Sequence, residues 1–361
     1  MIDIDSLTVP HHSWTVWDLV YDHRGRFFAT VSSDGAVKLW RPEGHRPREV
    51  GTLPLVPAGE STTIATHTRA DILYSSTRDG SVLWDTSDPT APRRIADLPT
   101  GTEWIAAATF SHDGELLAIA DNTGSIQLWD VTTPASPTRI GQFTIPAVEN
   151  VVVAQQLRFT EDDRTLAIAG GARELELWDV RNPAQPRAHP GILTDENTRP
   201  IQRGGQAGRD VVMSVAVHGN VMAFANMDST ATLWDLTDPA APRKLGTVPH
   251  EGPPLQRVTF SPDGTLLAAG TTDDLVRVWD VRDPAKPVER AVLHGHTDRL
   301  WGVAFAPDGH TIASSGTDRT VRVWDIDVEA TASRVCATTT AHLSTRQWEH
   351  HFPGVEPRPL C

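Results

Sequence analysis

Seven tryptophans stand in one recurring local context: Leu39-Trp40-Arg41, Leu83-Trp84-Asp85, Leu128-Trp129-Asp130, Leu177-Trp178-Asp179, Leu233-Trp234-Asp235, Val278-Trp279-Asp280 and Val323-Trp324-Asp325. The intervals between them are 44, 45, 49, 56, 45 and 45 residues. A chain that repeats at this period is assembled from small units that cannot bury their apolar faces alone and must stack on one another. With 361 residues the length admits two or three ordinary domains or one repeat array, and the period selects the array.

Within a repeat the pattern is that of strands. In residues 297–325, Leu300 to Phe305 is strand-like and Pro307-Asp308-Gly309 is a turn with glycine free to take positive φ. Thr311 to Ser315 is a second strand, Asp318-Arg319 turns the chain again, and Val321 to Asp325 alternates as a third. The same run recurs around Phe27, Leu73, Leu116, Leu166, Val221 and Leu266. After the third strand, repeats two to six carry paired prolines, from Asp88-Pro89-Thr90-Ala91-Pro92 to Asp283-Pro284-Ala285-Lys286-Pro287. Two fixed φ angles stiffen that turn before an outer strand such as Arg139 to Phe143. Sheets with two apolar faces, stacked radially, make a seven-bladed β-propeller.

The seventh repeat lacks the paired prolines, so its outer strand is expected from elsewhere. Leu7-Thr8-Val9-Pro10-His11-His12 aligns without a gap on Ala291-Val292-Leu293-His294-Gly295-His296, which makes residues 2–9 the closing strand. The expected architecture is therefore an all-β propeller over residues 1–327, closed by the N-terminal strand. Residues 328–361 form a short, partly helical extension docked on it, with Trp348 and Phe352 as its apolar contacts.

Charge restricts the partners. With 32 basic against 46 acidic residues the formal net charge is −14, and no basic stripe stands out, so nucleic acid is not an expected partner. The opening Met-Ile-Asp-Ile-Asp is acidic where a signal peptide is basic, and no stretch approaches the roughly 20 apolar residues of a membrane span. The two cysteines, Cys336 and Cys361, bracket the extension and pair if the tail folds back, free thiols being the preferred reading in a protein read as a cytoplasmic monomer.

Taken together, these features resemble the WD-repeat β-propeller family over about residues 2–327. The resemblance implies that a His, a Ser or Thr, an Asp and the repeat Trp form a buried hydrogen-bonded chain inside a blade. Two blades carry the whole set at matching offsets: His12/Thr30/Asp34/Trp40 and His296/Ser314/Asp318/Trp324. Blade two keeps Ser75, Asp79 and Trp84 without the His, and Asp228 and Asp273 persist further on. A His–Asp–Ser trio also fits a hydrolase, but a tryptophan N–H completing the chain makes it a structural network. The ending resembles the extension of actinobacterial WD-repeat proteins, whose propellers are often fused to NTPase or kinase modules; a bacterial source follows from that resemblance.

In WD-repeat propellers the residues where each first strand begins ring the mouth of the central channel and commonly bind partners. The positions here are Thr15/Trp17, Glu60/Thr62, Trp104/Ala106, Val153/Gln155, Val211/Met213, Pro254/Gln256 and Arg299/Trp301. Trp17, Trp301 and Arg299, with Trp104 and Glu60, are the candidate contacts, tryptophan and arginine being enriched at binding hot spots. The expected function is a non-catalytic scaffold for a protein or peptide, not an enzyme. An enzyme or small-ligand protein using the channel is the alternative, and a sensor for a separately encoded NTPase or kinase is another. No HExxH, phosphate loop or dinucleotide fingerprint is present, and His11-His12, His294/His296 and His350-His351 are not read as metal sites, so no cofactor is expected. Residues 188–210, longer than an ordinary connection, are read as a loop.

Overall fold

Each repeat folds as an antiparallel sheet because its second strand is apolar on both sides. In blade four Leu166, Ala167, Ile168 and Ala169 are all fully buried, so that strand must be covered from two directions. The computed structural model describes residues 11–43, 46–54, 63–77, 80–101, 104–145, 154–170, 175–190, 201–203, 206–208, 212–226 and 229–327. Blade one is Val16–Tyr21, Phe28–Ser32, Val37–Glu43 and Arg46–Thr52, hydrogen-bonded in that order. Blades two to six repeat the arrangement, their innermost strands being Thr63–Thr66, Ile105–Phe110, Ala154–Phe159, Val212–His218 and Leu255–Phe260. Blade seven shows Leu300–Phe305, Thr311–Gly316 and Val321–Asp325.

One register runs through the ring. The repeat tryptophan always faces a bulky apolar residue of the second strand: Phe28 opposite Trp40, Leu73 opposite Trp84, Leu117 opposite Trp129 and Leu166 opposite Trp178. Met222, Leu267 and Ile312 take the same place against Trp234, Trp279 and Trp324. The apolar clusters of the described residues lie between blades, one at each of the seven junctions. The junction of blades seven and one, with Leu19, Tyr21, Phe28 and Trp40 against Ala306, Ala313, Val321 and Val323, closes the circle. Burial of this kind contributes roughly 1.5–3 kcal/mol per large aliphatic or aromatic side chain.

The turns explain the residues that follow each tryptophan. Asp85, Asp130, Asp179, Asp235, Asp280 and Asp325 each accept the N–H two residues on, which opens the turn after the third strand. Blade one has Arg41 there, and its chain instead continues straight into a hairpin. The proline turns do more than stiffen, because they dock on the preceding blade. A Cβ added to Gly51, Gly141 or Gly246 in an outer strand would run into the carbonyl of Pro89, Pro183 or Pro284 of the next blade. Gly309 takes φ of 79° in its turn, as the Pro-Asp-Gly sequence requires, and Arg319 takes 65° in the next.

Residues 2–9, the expected closing strand, lie outside the described residues. The first described residues already engage blade seven: the amides of His11 and His12 donate to Arg319 O at 3.1 and 3.3 Å, and Val321 N–H donates to His11 Nδ1 at 3.1 Å. Within 188–210, Ile201–Arg203 pairs with Gln206–Gly208 as a short hairpin where the sequence reads as a loop. The extension 328–361, with Cys336, Cys361 and Trp348, also lies outside the described residues. Among the described residues no helix is long and apolar enough to cross a membrane.

Candidate functional site

The first strands of six of the seven blades carry one irregularity at the same place. The register shifts across Trp17, Ala106, Gln155, Met213, Gln256 and Trp301, each a β-bulge in its pairing with the second strand. A bulge re-aims the side chain it carries, and all six residues line one cavity of about 930 Å³ along the axis of the ring. These are the second members of the pairs predicted to ring the mouth. Thr62 and Glu60 of blade two lie outside the described residues, as do Val153 and Val211.

At the seam, Trp17 of blade one and Trp301 of blade seven meet edge to face, their ring centroids 5.0 Å apart. Each indole is tied down: Trp17 Nε1–H donates to Ser33 Oγ at 2.5 Å and Trp301 Nε1–H to Thr317 Oγ1 at 2.9 Å. The Arg299 guanidinium stands 5.3 Å from the Trp301 ring, adding a cation–π contact to the pair. Trp17 is nonetheless 41% exposed. Trp104 borders the same cavity from blade three and is 56% exposed, so it stands apart from the seam pair. Sequence reading missed Trp14, 65% exposed just before blade one; it falls beside a rim position without occupying one.

In the channel, Arg257 of blade six pairs with Asp18 of blade one, the two blades that flank blade seven; Gly302 of blade seven lies against Leu19. A Cβ at Gly302 would press on Ser315 Oγ and Leu19, so the blades approach closely there. Gln156 and Ser214 tie blades four, five and six: Ser214 Oγ–H donates to Gln156 Oε1 at 2.6 Å and accepts Val258 N–H at 2.9 Å. Arg158 also lines the channel, and its guanidinium is bonded to Leu157 O. Burial and the like charge of Arg257 hold it down to about 10, against the pull of Asp18.

The two polar sets are brought together inside their blades. His12 Nε2 lies 2.8 Å from Thr30 Oγ1, which accepts Trp40 Nε1–H at 2.7 Å, and His12 Nδ1 lies 3.0 Å from Asp34. His296 Nε2 lies 2.8 Å from Ser314 Oγ, which accepts Trp324 Nε1–H at 2.7 Å, and His296 Nδ1 lies 2.7 Å from Asp318. Because the hydroxyl has one proton and already accepts from tryptophan, it donates to Nε2. The imidazole is then the Nδ1–H tautomer donating to the carboxylate. Burial lowers the His296 pKa despite the adjacent Asp318. For Asp318, burial works in the other direction, but the hydrogen bonds from His296 and Thr320 outweigh it and bring the carboxyl to about 2. Both imidazoles are buried at the blade interior, so neither trio presents a nucleophile to solvent. Blades without the set satisfy the tryptophan differently: Trp129, Trp178 and Trp234 donate to Gln127, Glu176 and Thr232 two residues upstream, and Trp279 donates to Pro249 O.

Asp22, His23 and Asp71 bring donor atoms together as a metal site does, but the Arg26 guanidinium already bridges the two carboxylates, at 2.9 and 2.5 Å. The trio is an ion-pair cluster tying blade one to blade two.

A family model described as "WD domain, G-beta repeat" matches residues 5–41, 94–130, 243–280 and 288–325. Three of these units begin in or at an outer strand, Arg93–Leu98, Arg243–Thr247 or Val288–Leu293, and end with the third strand of the following blade. No curated protein matches the chain.

Proposed function

The chain is a WD-repeat β-propeller, and we propose that it serves as a non-catalytic scaffold whose upper rim binds a protein or peptide. The observation that carries this reading is the Trp17–Trp301 pair. Two large aromatic rings are locked by hydrogen bonds at the mouth of a channel, with Arg299 beside them, and remain in contact with solvent. Fixed aromatic surface loses little conformational freedom on binding, and tryptophan with arginine is the usual composition of interface hot spots. Trp104 extends the platform across the mouth. The His–Ser/Thr–Asp–Trp sets rigidify the two blades on either side of this seam.

In the same reading the propeller spans residues 1–327, residues 2–9 complete blade seven, and residues 328–361 dock on the ring. The first matched unit, 5–41, has the extent of units that begin in an outer strand, which supports that place for the opening residues. The protein is a cytoplasmic bacterial monomer that does not bind nucleic acid. Its support is the charge of −14 without a basic stripe and the use of only two cysteines.

Replacing both rim tryptophans, Trp17→Ala with Trp301→Ala, tests the reading. Quantitative capture from source lysate, compared with the wild type and with the outer-strand variant Val288→Ala, loses its specific partner while thermal unfolding is unchanged. Equal capture by the rim variant and the wild type, with the fold intact, refutes the site.

A further inference from the structure

The channel contains an imbalance of charge that the rim reading does not use. Among the described residues its lining includes Arg158 and Arg257 against one carboxylate, that of Asp18. Asp18 is engaged by Arg257 and also accepts Leu19 N–H at 2.8 Å. Arg158 is left over: among the described residues no carboxylate comes within ion-pairing distance of it, and its bonded partner is the carbonyl of Leu157. A half-buried arginine without a counter-ion is costly to keep, and a chain of net charge −14 has many carboxylates with which to pair it.

A second observation points the same way. Gln156, only 2% exposed, also lines the cavity, and its Nε2 has no hydrogen-bond partner. Its amide cannot simply be turned over, because Oε1 accepts Val215 N–H at 3.0 Å as well as Ser214 Oγ–H. An unpartnered buried N–H donor and an arginine without a counter-ion, both on the innermost strand of blade four, describe a site built for an anion. Ile64, Ala108, Phe110 and Phe159 add apolar surface to the wall, alongside polar members such as Thr63, Thr66 and Gln155.

We propose that the channel binds a monocarboxylate with an apolar body, the carboxylate on Arg158 and the body against Phe110 and Phe159. One surplus positive charge matches a single carboxylate. A phosphate dianion would overshoot it beside Asp18. The carboxylate has two sources, a free organic acid or the C-terminus of a peptide that enters from the mouth. The site does not rest on the rim reading, because it is measured with purified protein rather than by partner capture.

Isothermal titration calorimetry on the full chain tests it with phenylacetate against phenylacetamide, and with N-acetyl-Ala-Ala-Phe bearing a free or an amidated C-terminus. At least one acid binds with millimolar or better affinity, and its uncharged counterpart binds at least about tenfold more weakly, as expected for loss of a charge-assisted bond to arginine. Binding of phenylacetate identifies a free acid as sufficient; binding of the peptide acid alone identifies a chain terminus as the source. Arg158→Leu removes the binding without lowering the melting temperature of the empty protein, and Arg158→Lys, which keeps the charge should the leucine variant fail to fold, retains part of it. Failure of both acids to bind, equal binding of acid and amide, or undiminished binding by a folded Arg158→Leu protein overturns the proposal.

Discussion

His12 and His296 sit where an imidazole must stay neutral. Each gives its Nδ1 proton to an aspartate and receives a hydroxyl proton at Nε2, so a second proton on the ring would leave a hydroxyl without its acceptor. Burial lowers both pKa values below the ordinary 6.5. The unfolded chain therefore takes up protons first, and the stability these residues contribute is complete above 6.5 and is lost as pH falls toward their folded values. Asp318, brought from 3.8 to about 2, acts in the same sense at lower pH: its contribution is complete above 3.8 and disappears as pH falls through about 2. The melting temperature accordingly drops between about pH 7.5 and pH 5, and the drop is shallower in a His12→Asn, His296→Asn variant. An identical slope in the two proteins, followed by circular dichroism, contradicts this assignment. These two sets were legible through the resemblance to WD-repeat propellers, whose set both blades match at the same offsets. Arg158 and the Asp18–Arg257 pair were not: they belong to first strands of different blades, and nothing in the local sequence shows which residues meet across a ring.

At the scale of the element, the proline turn and the outer strand of the preceding blade form one joint. Gly51, Gly141 and Gly246 leave room for the carbonyls of Pro89, Pro183 and Pro284, whereas Ala96 and Ala291 hold the same register position in blades two and six. Gly141→Ala thus forces a backbone shift between blades three and four and destabilises the fold by about 1–3 kcal/mol, the usual cost of overpacking. Urea unfolding measures it; a midpoint unchanged from wild type shows that the joint has slack. The prolines and their recurrence are plain in the sequence, where they read as stiffening alone. Their docking partner stands in another repeat, about one blade upstream, so the two halves of the joint carry no common local signal. The tryptophan–acceptor bonds teach the same lesson from the other side. Gln127, Glu176 and Thr232 lie two residues before their tryptophans, on the same face of one strand, and that periodicity was open to reading.

On the scale of the whole molecule, every apolar face is covered by a neighbouring blade, and the last neighbour of blade seven is blade one. The bulged residues then point to one axis, which is why the rim map follows from repeat spacing, whereas the charges within the channel do not. The position of Trp17 beside Trp301 exists only because the seam is shut, so closure by the opening residues is the claim on which the platform depends. Hydrogen–deuterium exchange, followed by mass spectrometry on the full chain and on one lacking residues 1–10, tests it most directly. The account predicts that Val321–Asp325 is as protected as Ser125–Asp130 in the full chain, and that the deletion exposes blades seven and one while sparing blade three. Rapid exchange of Val321–Asp325 in the full chain, or protection there that the deletion leaves untouched, contradicts it.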